Sequence, residues 1–268
     1  TRARRYNHEN KRMATNSSQY IVGVDIGGTF TDCVVVSERG RITIGKALST
    51  PDDFAQGAVN ALRDAATNLG MADEESVLRS TRLFFHACTV GDNTLITRAG
   101  AKTGLITTKG FADTLLMMRG RITEGMTEAE ADHLAALSKP EPFVPRRLTE
   151  EVFERIDYKG AEIIPLTATE AEGAVQRLAD KGVESIAICL LWSVLNDSHE
   201  KLLATVLKEK FPQLFFTLSN EVAPFVGEYE RMVTTVFNAY IGPKITAYLN
   251  NLDRTLRAKG LGREPLIM

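Results

Sequence analysis

Three cysteines in 268 residues, Cys33, Cys88 and Cys189, are too few and too scattered for a disulfide framework. There is no C-x-x-C pair, which argues against structural zinc. The odd, dispersed set fits a reduced, cytoplasmic setting with three unpaired thiols. No run of 18 or more apolar residues occurs, so no membrane-spanning helix is expected. The formal net charge is only −2, which leaves no general basic footprint for nucleic acid. G-x-x-x-x-G-K-[ST] is missing as well. Gly23, Gly27 and Gly28 are spaced G-x-x-x-G-G and lead into a strand, so they are not a dinucleotide-binding fingerprint. Internal repeats and low-complexity tracts are also lacking. What remains, at 44% hydrophobic and 25% charged residues, is an ordinary globular chain with one large or two small domains.

The most informative stretch is Ile21 to Val36, I-V-G-V-D-I-G-G-T-F-T-D-C-V-V-V. Two β-branched runs flank a polar, glycine-bearing turn, which predicts two strands and a hairpin. Gly27 and Gly28 are expected to take the turn through positive φ. Such a turn leaves backbone N–H groups uncovered, and these can line a concave anion site. Asp25 precedes it; Thr29, Thr31 and Asp32 follow. A carboxylate beside a phosphate-sized pocket suits Mg²⁺, which prefers oxygen and keeps several waters. A plain hairpin tip needs glycines but neither acid.

Arg41 to Leu48 alternates, with Ile42 and Ile44 on one face and Thr43 on the other, and reads as a third strand. Pro51-Asp52-Asp53 opens a helix whose apolar face runs from Phe54 to Leu69. Arg82 to Ala87 is a buried strand, and His86 to Gly100 turns from strand into a short helix. Ala101 to Thr107 is the next strand, with a helix from Phe111 to about Arg119, its Met117-Met118-Arg119 end facing a core. Gly120 to Arg147, with three prolines in K-P-E-P-F-V-P-R-R, reads as an exposed insertion or linker. Val152 to Asp157 and Ala161 to Pro165 form an antiparallel pair. Thr167 to Lys181 and Asp197 to Lys210 are helices. Ser185 to Leu191 is a strand buried on both faces, and Leu214 to Leu218 is another. A long helix begins near Gly227 and ends at Gly260, and Pro243 is expected to kink or divide it. P-L-I-M at the end reads as the start of a strand, so the chain is expected to be a fragment of a longer protein. Thr1 to Gln19 is a basic, polar tail without a secretory apolar core, expected to be flexible.

D-I-G-G-T-F-T-D resembles the first phosphate-binding hairpin of the actin/hexokinase/Hsp70 ATPase superfamily. It is most similar to the hydantoinase A/5-oxoprolinase branch, which writes the turn D-x-G-G-T-x-T-D. H-A-C-T-V-G-D-N-T-L-I-T-R, from His86, resembles that family's H-G-T-T-V-x-x-N-x-L-x-x-R, with Ala87-Cys88 in place of Gly-Thr. Ser219 to Tyr240 resembles S-x-E-x-x-P-x-x-x-E-Y-E-R-x-x-T-x-x-x-N-A-Y, a long and specific string. The resemblance implies an α/β, ribonuclease-H-like ATPase lobe (β-β-β-α-β-α) with a mixed sheet and flanking helices, truncated before the second lobe. Its segments would be the tail 1–19, an N-terminal ATPase-type domain 20–220, and the start of the hydantoinase A domain 221–268.

The resemblance also implies ATP and Mg²⁺ as cofactors. Asp25, Gly27, Gly28, Thr29 and Thr31 would bind them, with Asp25 as the metal ligand and Asp32 bracing the turn. His86, Thr89, Asn93, Glu228 and Arg231 would position substrate. By their own chemistry, Thr89 and Asn93 read equally as a helix cap, His86 as a hydrogen-bonded core residue, and Glu228–Arg231 as a surface ion pair. No catalytic residue is assigned. The implied reaction is phosphoryl transfer to the carbonyl of a cyclic amide, followed by hydrolytic ring opening, together with a hydantoinase B-type partner subunit. The alternatives are the ATP-binding subunit of an acetone- or acetophenone-type ketone carboxylase, and a non-enzymatic sensor or scaffold. With the second lobe missing, the fragment alone is expected to bind ATP poorly and to be inactive.

Overall fold

The computed structural model describes residues 19–51, 53–123, 125–133 and 139–268. The basic segment 1–18, and Asp52 of the helix-opening Pro51-Asp52-Asp53, lie outside the described residues. In chain order the first elements are β1 (Tyr20–Ile26), β2 (Phe30–Ser37), β3 (Ile42–Leu48), α1 (Phe54–Leu69), α2 (Glu74–Arg79), β4 (Thr81–Cys88) and α3 (Val90–Ile96). The middle holds β5 (Thr103–Thr108), α4 (Thr114–Met117), α5 (Glu128–Ala131), β6 (Thr149–Val152), β7 (Arg155–Ile156), β8 (Glu162–Ile164), α6 (Ala168–Asp180) and β9 (Ser185–Cys189). The last part holds α7 (Ser198–Lys210), β10 (Phe215–Leu218), α8 (Ser219–Val222), α9 (Glu228–Ala258) and β11 (Leu266–Ile267). The fold is α/β, as expected, and contains a mixed sheet. Two compact units are present: residues 1–90 with 248–268, and residues 91–247. This division by packing cuts the chain elsewhere than the 20–220 and 221–268 segments taken from the resemblance.

The first unit is a five-stranded sheet in the order β11-β4-β1-β2-β3. β1–β2 and β2–β3 are antiparallel, while β4 lies parallel to β1 and β11 parallel to β4. Alternation decides which side chains enter the core: Val22, Val24 and Ile26 of β1 are buried, as are Cys33 and Val35 of β2. β3 has the expected alternation, with Ile42 and Ile44 on one face and Thr43 on the other. Thr43 and Gly45 face inward, while Ile42, Ile44 and Leu48 are exposed. The close approach of α1 explains this. A Cβ on Gly45 would sit 2.2 Å from the carbonyl oxygen of Ala61, so only small residues fit that face. α1 answers with Ala55, Ala58, Ala61 and Ala65. Asp53 caps its start by accepting from the Ala55 N–H, and left-handed Gly70 ends it.

Glu74 clamps this unit. Its buried carboxylate accepts from Arg63 of α1 (2.9 and 3.1 Å) and from Lys259, just past α9 (2.9 Å). The Arg63 hydrogen bond holds its carboxyl down from 4.5 to about 2, against the opposing effect of burial.

The second unit carries an all-parallel sheet in the order β10-β9-β5-β6. β9 is buried along its whole length, as a strand covered on both faces should be. The core gathers Leu105, Ile106, Ile186 and Ile188 from the sheet, Leu178 from α6 and Leu207 from α7. β7 and β8 form the expected antiparallel pair.

Three sequence expectations change here. The end of the Gly120 to Arg147 segment is core, because Val144 is buried in the core cluster and Phe143 packs against that cluster; residues 134–138 lie outside the described residues. The Met117-Met118-Arg119 helix is one short turn, α4, that sets Leu115 against the core but leaves Met117 exposed, and it breaks where Met118 and Arg119 turn left-handed. Pro243 lies inside a single 31-residue helix, α9, and does not divide it. One turn before it, the carbonyl of Tyr240 also accepts from the Ala101 N–H (2.9 Å). The β11 strand at P-L-I-M is present. Among the described residues no helix is long and apolar enough to cross a membrane.

The Glu74 clamp has a pH signature. Its folded pKa lies below the unfolded value, so its stabilisation is present above about pH 4.5 and is lost as pH falls toward 2. Acid unfolding monitored by circular dichroism should show this loss, and Glu74→Gln should flatten the stability profile across that window. An unchanged profile in the variant would contradict the clamp.

Candidate functional site

In the first unit, the carboxyl ends of β1 and β4 lie side by side, with Asp25 opposite Ala87 and Ile26 opposite Cys88. Ends of parallel strands are where open α/β sheets gather ligands. The β1–β2 turn leaves from the same end. Gly27 donates to the Phe30 carbonyl (3.0 Å), and the chain reverses through Gly28 and Thr29. Neither Gly27 nor Gly28 is among the residues with positive φ, which corrects the reason assigned to the glycines. Gly27 is needed for space: a Cβ there would lie 3.1 Å from the Phe30 carbonyl oxygen.

Ser49 braces this turn. Its N–H donates to the Thr29 carbonyl (2.9 Å) and its hydroxyl to the Gly27 carbonyl (2.8 Å). Its single proton being spent, Ser49 Oγ accepts from the Thr31 hydroxyl (3.1 Å). Thr31 is completely buried, so its hydroxyl serves the turn and does not face a ligand, a correction to its expected cofactor contact. Asp32 is turned outward and pairs with Lys46 (2.7 Å), so it does not brace the turn. Asp25, Gly28 and Thr29 are exposed. The N–H groups of Gly28 and Thr29 have no partner among the described residues.

His86 is completely buried. Its Nδ1–H donates to the Val24 carbonyl (3.1 Å), because a carbonyl can only accept. Nε2 therefore accepts, from the hydroxyl of Tyr248 on α9. Burial pushes the imidazole pKa down, opposed by the Val24 hydrogen bond and the charge of Asp25. Tyr248 is pushed up, first by burial and then by Cys88 and Asp25. Asp25, His86, Cys88 and Tyr248 thus form one electrostatic cluster at the strand ends. Sequence reasoning missed Tyr248, which is 162 positions from its partner, and Ser49. Thr89 is exposed, and its N–H donates to the Ile26 carbonyl (3.3 Å).

Asn93, Glu228 and Arg231 belong to the second unit. Asn93 is exposed in α3, and its carbonyl accepts from the N–H and hydroxyl of Thr97. Glu228 is half-buried at the start of α9. Arg231 is only 2% exposed, a correction to its expected role toward substrate. Its guanidinium donates to the hydroxyls of Ser193 and Ser219 and to the Leu190 carbonyl (2.7 Å), and does not pair with Glu228. Ser219 in turn donates to buried Glu200 (2.6 Å), which also accepts from the Leu190 and Asn220 N–H groups. Burial pushes the Glu200 carboxyl up, against those hydrogen bonds. Buried Thr235 bonds the Arg231 carbonyl, and the Tyr240 ring fills the space a side chain at Gly100 would need. The Ser219 to Tyr240 string thus joins α9 to the sheet. None of Cys33, Cys88 and Cys189 is in a disulfide, and burial pushes Cys33 and Cys189 up to about 12.

Among the described residues, no group of three or more His, Cys, Asp or Glu side chains could hold a metal by itself. Mg²⁺ bound through one carboxylate, waters and phosphate oxygens needs no such group. Exposed Asp25 beside two unpaired N–H groups is compatible with that donor set.

Residues 21–211 match the hydantoinase/oxoprolinase N-terminal region. The chain is 34% identical to the acetophenone carboxylase gamma subunit of Aromatoleum aromaticum, covering 89% of this chain and 33% of that subunit. It is 32% identical to the caprolactamase subunit alpha of Pseudomonas jessenii, covering 91% and 34%. The crystal structure of the ATP-dependent caprolactamase from Pseudomonas jessenii superposes with a TM-score of 0.82 at 31% identity, over 92% of this chain and 35% of that one. A nucleotide-free acetone carboxylase structure gives the same TM-score at 29% identity, over 91% and 35%. The chain spans about a third of the length of these relatives.

Two substitutions test these assignments. Tyr248→Phe removes the donor to neutral His86, so the histidine pKa should rise toward 6.5, with about 1 kcal/mol of stability lost. NMR titration reads this, and a fall or no change would contradict the assigned tautomer. Arg231→Ala should lower the unfolding free energy by about 3 kcal/mol, because it empties a fully packed site and leaves the buried Leu190 carbonyl without its donor. Unchanged denaturant stability would count against a structural Arg231.

Proposed function

The chain belongs to the hydantoinase/oxoprolinase family, and from that membership we propose that it forms the N-terminal part of an ATP-dependent subunit that activates a cyclic amide carbonyl for ring-opening hydrolysis. The observation that carries this reading is the Gly27–Phe30 turn, where exposed Asp25 precedes the N–H groups of Gly28 and Thr29, which have no partner among the described residues. Those N–H groups hold phosphate oxygens, and Asp25 holds Mg²⁺ through water. When bound, Mg·ATP supplies the phosphoryl group that makes the amide oxygen a good leaving group. The chain's own part is positioning and charge neutralisation. Ser49 and Thr31 keep the turn in shape, and His86 with Tyr248 fixes the strand end that carries Asp25. Exposed Thr89 and Asn93 are the polar groups we assign to substrate contact. The relatives are named as subunits, which supports a second chain of the hydantoinase B type as partner. We assign the reaction to the cytoplasm, where ATP is supplied.

A second reading is the equivalent subunit of a ketone carboxylase, favoured by the likeness to the acetophenone carboxylase gamma subunit and to acetone carboxylase. Phosphate release from ATP by the intact protein in its native assembly separates the two. Stimulation by hydantoin, 5-oxoproline or caprolactam is expected; stimulation only by ketone with bicarbonate would transfer the assignment to the second reading. Asp25→Ala should lower kcat/KM for ATP about 100-fold, near 2.7 kcal/mol. An Asp25→Ala enzyme with undiminished ATP turnover would overturn the role of the turn.

A further inference from the structure

An apolar cavity of about 310 Å³ opens within the second unit. One face of α9 supplies Tyr229, Val233 and Phe237, at helical spacings of four. The α4 turn supplies Leu116 and Met118, and the proline-rich strap from Lys139 to Phe143 closes the remaining side. A mainly apolar concavity with a few convergent polar groups is the usual form of a small-molecule site.

The walls are fixed by packing. Phe143 meets Phe237 edge-on at 5.0 Å and Tyr240 at 4.9 Å. Pro140 and Pro142 restrict the strap that carries it. Arg98 and Met118 both line the cavity with left-handed backbone, each at φ 52°. Bulky L-residues hold that conformation only where their surroundings impose it, and such positions gather at ligand sites.

The rim is cationic. The Arg98 guanidinium lies 4.8 Å over the Phe143 ring and donates to the Glu141 carbonyl (2.8 Å). Its Nη1 is in a long ion pair with the exposed Glu141 carboxylate (3.9 Å). Lys139 gives one hydrogen bond to the Leu116 carbonyl (2.9 Å) and keeps two donors. The opposing charge in the lining is Glu141, whose carboxylate is 80% exposed and 3.9 Å from Arg98.

We propose that this cavity binds a small aromatic or alicyclic monocarboxylate, with its ring against Phe143 and Phe237 and its carboxylate on Arg98 and Lys139. Nothing in this assignment depends on what the Gly27 turn binds. Titrating benzoate, benzyl alcohol and benzylamine into the 268-residue chain, with the Val233 and Leu116 methyl signals followed by NMR, tests it. Benzoate should shift those signals with a Kd on the order of 1 mM, and benzylamine should bind about 10-fold more weakly. Arg98→Gln, a change at an exposed side chain, should weaken benzoate about 10-fold while moving benzyl alcohol by less than about 2-fold. Val233→Trp should fill the cavity and abolish both; if that variant fails to fold, Arg98→Gln carries the test. Benzoate that leaves the methyl signals still, or binds Arg98→Gln unchanged, would overturn the proposal.

Discussion

Ser49 closes three hydrogen bonds around the β1–β2 turn, and the candidate site rests on that brace. Its N–H and hydroxyl occupy the carbonyls of Thr29 and Gly27, and its oxygen takes the Thr31 proton. With both of those carbonyls engaged, the N–H donors of Gly28 and Thr29 stay without a partner among the described residues. α1 presses against the same place, for a side chain at Gly57 would lie 3.0 Å from the Thr31 hydroxyl. A turn held this firmly presents donors without reorganising, the condition under which such groups stabilise developing negative charge best.

A second brace acts one strand away. His86 ties β4 to the Val24 carbonyl of β1, and Tyr248 caps its other nitrogen. Edge contacts of Tyr248 with Phe54 and a hydrogen bond from Asn251 to Asp53 join the last part of α9 to the start of α1. The residue before the turn therefore sits on a strand end held from both neighbours. In the second unit the buried Arg231–Ser219–Glu200 network does comparable work, joining the first part of α9 to the ends of β9 and β10.

Much of this architecture was legible in the sequence. β-branched runs gave the hairpin, a continuous apolar run gave β9, and α1, α6 and α7 were legible as helices. The family emerged from three strings. The site was less legible, for physical reasons. Charge and spacing suggested that Arg231 faced outward, but two serines and the Leu190 carbonyl receive its terminal nitrogens inside the fold, while its buried Nε has no partner among the described residues. Thr31 reads as an available hydroxyl until Ser49 is brought to it by β3. The partnership of Tyr248 with His86 leaves no local trace. Which face of β3 is buried follows from the approach of α1 at Gly45, which no periodicity encodes. The proline strap reads as linker because prolines punctuate chains, although here they deliver Phe143 and Val144 to a core.

The central claim is that the backbone donors of Gly28 and Thr29, beside Asp25, receive the phosphates of Mg·ATP. Hydrogen–deuterium exchange of the intact protein, with and without saturating Mg·ATP, addresses it most directly. Exchange at Gly28 and Thr29 should slow on nucleotide binding. Unchanged exchange at those two amides, with ATP bound elsewhere in the protein, would contradict the account.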